Sequence, residues 1–290
     1  MPKGGTMMKR MLSIVTIMLV FSTLLLAQEL KLPQVSQKTS VMQTVGLTDV
    51  TISYSRPGVK GRVIWGGLVP YDKIWRTGAN SATIFSVSDD VKINGQNLPA
   101  GEYSFHSIPG KDQWTIIFNK VAKQWGSYDY DQSKDALRIQ VKPEQGPLQE
   151  WMMFSFPVVQ PSGATVELAW EKLRVSFNIE TNTQAKALAN IKQALEGMNN
   201  WDIPYGAAQY AFTSNLDNKD EAMKWINQSV ALKETYWNLR LKAEMLARDG
   251  KTADAIAVAE KAVELGKANK DEPGEVAKTE KQIADWKSKK

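Results

Sequence analysis

The chain contains no cysteine. That absence excludes a disulfide framework, a thiolate zinc site and a cysteine nucleophile, together with the lipidated cysteine that a bacterial lipoprotein carries at its mature N-terminus. Histidine is almost as scarce. His106 is the only one, so a His-rich metal site cannot form and a Ser-His-Asp triad would have to use that residue. No Gly-x-Ser-x-Gly elbow supplies a serine nucleophile. No phosphate-binding or dinucleotide loop occurs, since Gly66-Gly67 lacks the required spacing. A strong charge of either sign is missing too. The formal net charge is +5, but Lys3, Lys9 and Arg10 stand before Gln28 with no acid among them, so the remainder carries +2. Such a balance gives no argument for nucleic acid or an anionic membrane as partner.

Long apolar runs are absent except at the start. Lys9-Arg10 precedes the apolar stretch Met11 to Leu26, and Ala27 leads into polar Gln28-Glu29. A basic start, a short apolar core and a small residue describe a secretory signal peptide. The run is shorter than the ~20 residues a spanning helix needs, so cleavage near Ala27 and no membrane span thereafter are expected. The product would be exported, periplasmic or extracellular. Roughly 260 residues then remain, enough to be stable by burial without cross-links.

Two periodicities divide that remainder, giving an α+β chain in separate halves: 28–181 as sheet and 182–290 as helix. Val50–Tyr54, Thr83–Val87 and Val91–Ile93 alternate apolar and polar residues, and Asn94-Gly95 is a hairpin signal. Further strands are predicted at Glu102–Ile108, Trp114–Asn119, Leu137–Val141, Trp151–Val158, Ala164–Trp170 and Leu173–Ile179. Nine or ten short strands punctuated by Gly and Pro indicate an antiparallel β-sandwich or jelly roll, with a closed barrel as the alternative. Beyond Ile179 the sequence turns rich in Ala, Leu, Lys and Gln. Lys219–Ser229 matches Thr252–Ala262 at an offset of 33, with Ala222 over Ala255 and Ser229 over Ala262. That offset predicts tetratricopeptide-like helical hairpins. Pro273-Gly274 is expected to close the last repeat, ahead of a charged, fraying C-terminal helix.

The most distinctive stretch is Tyr54 to Asn80, which interleaves Arg56, Lys60, Arg62, Lys73 and Arg76 with Trp65, Trp75, Tyr54 and Tyr71 against the single acid Asp72. Guanidinium forks grip carboxylate, phosphate or sulfate bidentately, and flat rings stack on sugars. The alternative is that the arginines pair with Asp72, Asp129, Asp131 or backbone carbonyls and lock loops in place, while the tryptophans fill a core. Trp114 heads an apolar strand and reads as core; Trp125 stands in a loop and is the better candidate for an exposed ring.

The run Ser55-Arg56-Pro57, Lys60-Gly61-Arg62, Ile64-Trp65-Gly66, Leu68-Val69-Pro70-Tyr71 and Trp75-Arg76-Thr77-Gly78-Ala79-Asn80 resembles the signature of a large family of secreted bacterial proteins known only as a domain of unknown function. The resemblance extends through Asp90–Gly95, Leu98–Ser104, Trp114–Lys120 and Gln124–Tyr130, covering roughly 35–180. It implies a compartment and a domain boundary but no activity. Members often carry Glu after Gly-Ala-Asn, where this chain has Ser81.

Together these features predict a binding module for an anionic or carbohydrate ligand. Arg56, Arg62, Trp65, Tyr71, Trp75, Arg76, Asn80 and Trp125 are the candidate contacts. No cofactor and no metal is called for, and no catalytic motif is recognisable. Two alternatives belong to other classes: a hydrolase using Asp or Glu on the same fold, and a scaffold that binds a protein partner through the helical tail. Asp129, Asp131 and Asp135 form an acidic loop that could hold Ca²⁺ or act as an acid/base pair. Asp-rich loops are more often turns.

Overall fold

The computed structural model describes residues 32–216 and 218–288; the expected signal peptide lies outside the described residues. Within them, 32–44 and 48–180 form one compact unit, and 45–47 with 181 onward form a second.

The first unit holds ten strands: β1 (Lys38–Val45), β2 (Thr48–Ser55), β3 (Thr83–Val87), β4 (Val91–Ile93), β5 (Gln96–Leu98), β6 (Gly101–Ile108), β7 (Trp114–Asn119), β8 (Asp135–Val141), β9 (Pro143–Gln160) and β10 (Gly163–Thr181). They form a six-stranded sheet ordered β1-β2-β3-β6-β7-β8 and a four-stranded sheet ordered β5-β4-β10-β9. The paired strands run antiparallel. The inner faces meet through aromatic rings. Phe85, Phe105 and Phe118 of the larger sheet lie 6.2, 5.8 and 5.9 Å from Phe177 of β10, and Phe105 lies 5.5 Å from Phe154 of β9. Each such ring, fully buried, contributes about 1.5–3 kcal/mol. Two open sheets facing one another make this a sandwich rather than a closed barrel.

Three strand assignments differ from the sequence reading, the first being β9, which starts at Pro143 and not Trp151. The sheet starts at Lys38, in a strand whose inward positions are only half buried, which weakens its alternation. The gap expected between Trp170 and Leu173 is a bulge inside the continuous strand β10. Its register against β9 shifts on both sides of Glu171, which adopts φ 53°.

The second unit contains six helices among the described residues: α1 (Thr183–Glu196), α2 (Asp202–Thr213), α3 (Lys219–Leu232), α4 (Tyr236–Arg248), α5 (Thr252–Asn269) and α6 (Pro273–Ser288). Helix α4 serves two cores. Tyr236, Leu239 and Ala243 pack with Ile256, Ala259, Ala262 and Val263 of α5 and with Val276 and Ile283 of α6. Leu241 and Met245 pack instead with Ala208 and Ala211 of α2 and Ala222 and Ile226 of α3. The small residues allow close approach: a Cβ on Gly266 would sit 2.9 Å from the Tyr236 ring. Fully buried Asn238 ties the α3–α4 turn, its amide donating to Ser229 Oγ and the Lys233 carbonyl and its side-chain oxygen accepting from Thr235 N–H. Pro273 opens α6 instead of closing a repeat. Proline at a first helical position forfeits an N–H that has no intrahelical acceptor there, and Lys270, left-handed at φ 57°, ends α5. Nor is α6 a loose end, since Tyr236 Oη and Thr279 Oγ1 share a buried 2.8 Å hydrogen bond.

Candidate functional site

Between β2 and β3 the chain leaves the sheet for the whole cationic, aromatic segment and then returns. It is fastened at both ends to different sheets. Val59 N–H donates to the Glu150 carbonyl and Met152 N–H to the Pro57 carbonyl, on β9. Trp75 and Ser107 of β6 exchange backbone hydrogen bonds at 2.8 and 2.9 Å. Between these anchors, Ile64–Val69 folds into a turn that requires Gly67, because a Cβ there would lie 2.5 Å from the Val63 carbonyl oxygen.

Four tryptophans secure the segment. Trp65 and Trp75 from the loop meet Trp114 of β7 and Trp170 of β10. Trp65 lies 5.9, 4.9 and 5.7 Å from Trp75, Trp114 and Trp170, edge-to-face, and Trp75 stacks on Trp170 at 5.8 Å. Such pairs add about 0.5–1.5 kcal/mol each beyond area burial. Trp75 is buried, and its indole N–H donates to the Gly78 carbonyl. The loop is therefore clamped by one tryptophan from each sheet.

Onto this plug the loop mounts its cations. Arg56 Nε donates to the Met152 carbonyl, and Arg62 donates from Nε to the Val59 carbonyl and from Nη2 to the Gly58 carbonyl. None of these acceptors is an acid. Arg76 is half buried and, among the described residues, hydrogen-bonds to nothing through its side chain. Its Nε is enclosed without an acceptor, while its two Nη atoms are not enclosed. Burial pushes its guanidinium below the usual range, opposed by nearby Tyr128. Arg76, Arg62 and Lys60 line a cleft of about 230 Å³ with Trp75 and Trp170 in its wall and no acidic residue in its lining. An enclosed cation without a counter-charge is costly, and an anion entering the cleft would meet an open fork.

A second cleft, of about 450 Å³, lies across a partition made by Ser55–Pro57 and Ala79–Ser81. Trp125, Lys38, Lys123, Gln124, Ser55 and Ser81 are among its lining residues. Asn80 holds the partition, its amide donating to the Ser36 carbonyl and to Ser55 Oγ and its backbone carbonyl accepting from Gly126 N–H.

Of the sequence-predicted contacts, Arg62, Trp75 and Arg76 thus line the first cleft and Trp125 the second. Arg56, Trp65, Tyr71 and Asn80 line neither. Arg56 ties the loop to β9, Trp65 belongs to the plug, Tyr71 packs against Gly66 and Asn80 braces the partition. Lys38, Lys60 and Lys123 also line the clefts and were not among the expected contacts. Lys60 was legible in the charge count, but Lys38 belongs to the weakly patterned β1.

The acidic loop has other duties. Asp131 caps the short helix Gln132–Lys134, accepting from Ser133 N–H and Oγ. Asp135 accepts from Tyr130 Oη, Asn119 Nδ2 and Arg138 Nη1. Among the described residues no group of three potential ligands could hold a metal ion. His106 is fully buried on β6, 5.2 Å from the Tyr130 ring, and neither ring nitrogen has a well-formed hydrogen bond. Burial lowers its pKa to about 4, against weaker opposing effects from the Ser104 backbone, Asp135 and the Gly126 backbone. It is a neutral core residue at pH 7.

Residues 36–179 match the model of a family described as Protein of unknown function (DUF2911). The DUF2911 match covers the sheet unit from Ser36, with the tryptophan plug and all the cleft-lining residues except Val35, and stops before the helices begin. No curated protein and no solved structure matches the chain. No helix among the described residues is long and apolar enough to cross a membrane.

Proposed function

We propose that this is an exported binding module whose sheet unit captures an anionic ligand in the Arg76 cleft. The observation that carries the reading is the half-buried Arg76 fork, which has no acidic partner among the described residues and is mounted on a rigid tryptophan plug. Arg62 and Lys60 add positive charge to the same cleft, and the guanidinium plane suits a carboxylate or similar oxyanion. Loops held by a rigid sandwich are common carriers of recognition. Export is proposed from the leader-like residues 1–27. The helices are proposed as a tetratricopeptide-like tail available to a protein partner, supported by the starts of α3 and α5 at Lys219 and Thr252, the two positions that the sequence repeat aligns.

Thermal unfolding in galacturonate, with galactose as the uncharged control, tests the anion reading. Galacturonate should raise Tm, by an amount equivalent to about 2.7 kcal/mol at a hundredfold its Kd. Galactose at equal concentration should not, and Arg76→Gln should lose the response. Equal responses in the two proteins would remove Arg76 from the site.

A further inference from the structure

The larger cleft, of about 450 Å³ and beside the arginine cleft, has a different chemistry. Its loop presents two exposed rings from one turn, Trp125 at 63% exposure and Tyr128 at 83%, on either side of Gly126 at φ 67°. A side chain on Gly126 would collide with the Tyr128 ring, its Cβ coming within 2.8 Å. The Tyr128 ring therefore lies against the backbone of the turn, beside the exposed Trp125. Lys38 and Lys123 line the cleft without an ion pair among the described residues. Ser81 makes no side-chain hydrogen bond there, and Ser55 Oγ accepts from Asn80 while its own hydrogen stays available. A flat exposed ring surrounded by hydroxyls and ammonium groups suits a polyhydroxylated ring that bears acid groups.

The two clefts adjoin. Ser55 lines one and Pro57 the other; Ser81 lines one and Ala79 the other. Tyr128, from the Trp125 turn, lies close enough to Arg76 to influence its ionisation. We propose that the clefts are neighbouring subsites for one oligosaccharide of acidic sugars, with a uronate carboxylate in the Arg76 fork and the next ring stacked on Trp125. The proposal rests on the anion reading of Arg76 and adds the class and length of the ligand. A single-stranded nucleic acid would also offer charge and stacking, but the hydroxyl lining and the near-neutral charge outside the leader favour the glycan.

Calorimetric titration of the purified protein with galacturonate, trigalacturonate, neutral galactotriose and oligo(dT) separates the possibilities. Trigalacturonate should bind at least ~10-fold more tightly than galacturonate, a step of about 1.4 kcal/mol, and galactotriose should bind far more weakly. Trp125→Ala should reduce trigalacturonate affinity to the level of the monomer, and Trp125→Phe should recover part of the loss, with the circular dichroism melt of each variant checking its fold. Arg76→Gln should abolish binding of both uronates. If galacturonate binds and trigalacturonate binds no more tightly, or Trp125→Ala leaves the difference intact, the two-subsite proposal falls while the Arg76 reading stands. If neither uronate binds, both fall. Tighter binding of oligo(dT) with the same dependence on Arg76 and Trp125 would replace the glycan by a nucleic acid.

Discussion

The two units use their cations differently. In the helical unit, several positive side chains meet an acid from another helix or turn: Arg240 to Glu275, Lys261 to Glu234, Lys267 to Glu280 and Lys287 to Glu260, with Arg240 also facing Glu244 on its own helix, while Arg248 donates to the Phe212 carbonyl. In the sheet unit, Arg138 pairs with Asp135 and Arg174 with Glu167, both away from the loop. The three arginines of the loop donate to carbonyls or to nothing. The lysine pairs of the helices are largely exposed and each adds little to stability, whereas Arg240 is partly enclosed but faces two carboxylates. Arg76 differs from its neighbours: it is partly enclosed and has no counter-ion among the described residues, which is the basis of the proposed anion site.

This contrast can be broken or sharpened in order of expected effect. Replacing Trp170 by alanine should destabilise the sheet unit by about 3–5 kcal/mol, since the residue closes the plug and leaves a cavity. Denaturant unfolding measures this, and a loss under about 1 kcal/mol, the size of an ordinary substitution, would show that the loop is not held by the tryptophans. Next in size is His106. Its folded pKa of about 4 lies below the ordinary value, so the unfolded chain binds more protons between pH 6.5 and 4. The stability contributed by the neutral imidazole should be fully present above pH 6.5, fall by about 3 kcal/mol as pH drops through that window, and be lost below it. His106→Leu should remove that part of the slope; an unchanged pH profile would show that the imidazole is not held neutral. In the helical unit, Asn238→Ala should cost about 2 kcal/mol by stripping partners from buried groups in the α3–α4 turn. An effect below about 0.5 kcal/mol would mean that water replaces the amide.

Much of the fold was legible because periodicity is local. Thr83–Val87 alternates with every second residue buried, and Asn94-Gly95 makes the β4–β5 hairpin. The helical half announced itself by composition. The site was less legible, because an aromatic in a cationic loop can face in or out. Trp75 and Trp125 look alike in sequence; the difference is that Trp75 meets Trp170, far along the chain, whereas Trp125 stands exposed on a turn. Asn80 resembled a contact residue but is used at φ 59° to tie Ser36 and Ser55 together. In the acidic loop Asp131 and Asp135 hold turns, as Asp-rich loops usually do: Asp131 caps the short helix, and Tyr130, Asn119 and Arg138 converge on Asp135. Pro273 misled for a comparable reason: whether it ends one helix or begins the next depends on the turn before it.

The most direct test of the contrast is the ligand-free stability of Arg76→Gln, measured by urea unfolding against the parent protein. If the guanidinium is held open for an anion, removing an enclosed and unpaired charge should leave stability within about 0.5 kcal/mol or raise it. A loss of about 2 kcal/mol or more, the scale of a broken buried interaction, would mean that Arg76 supports the fold, and the proposed site would fail.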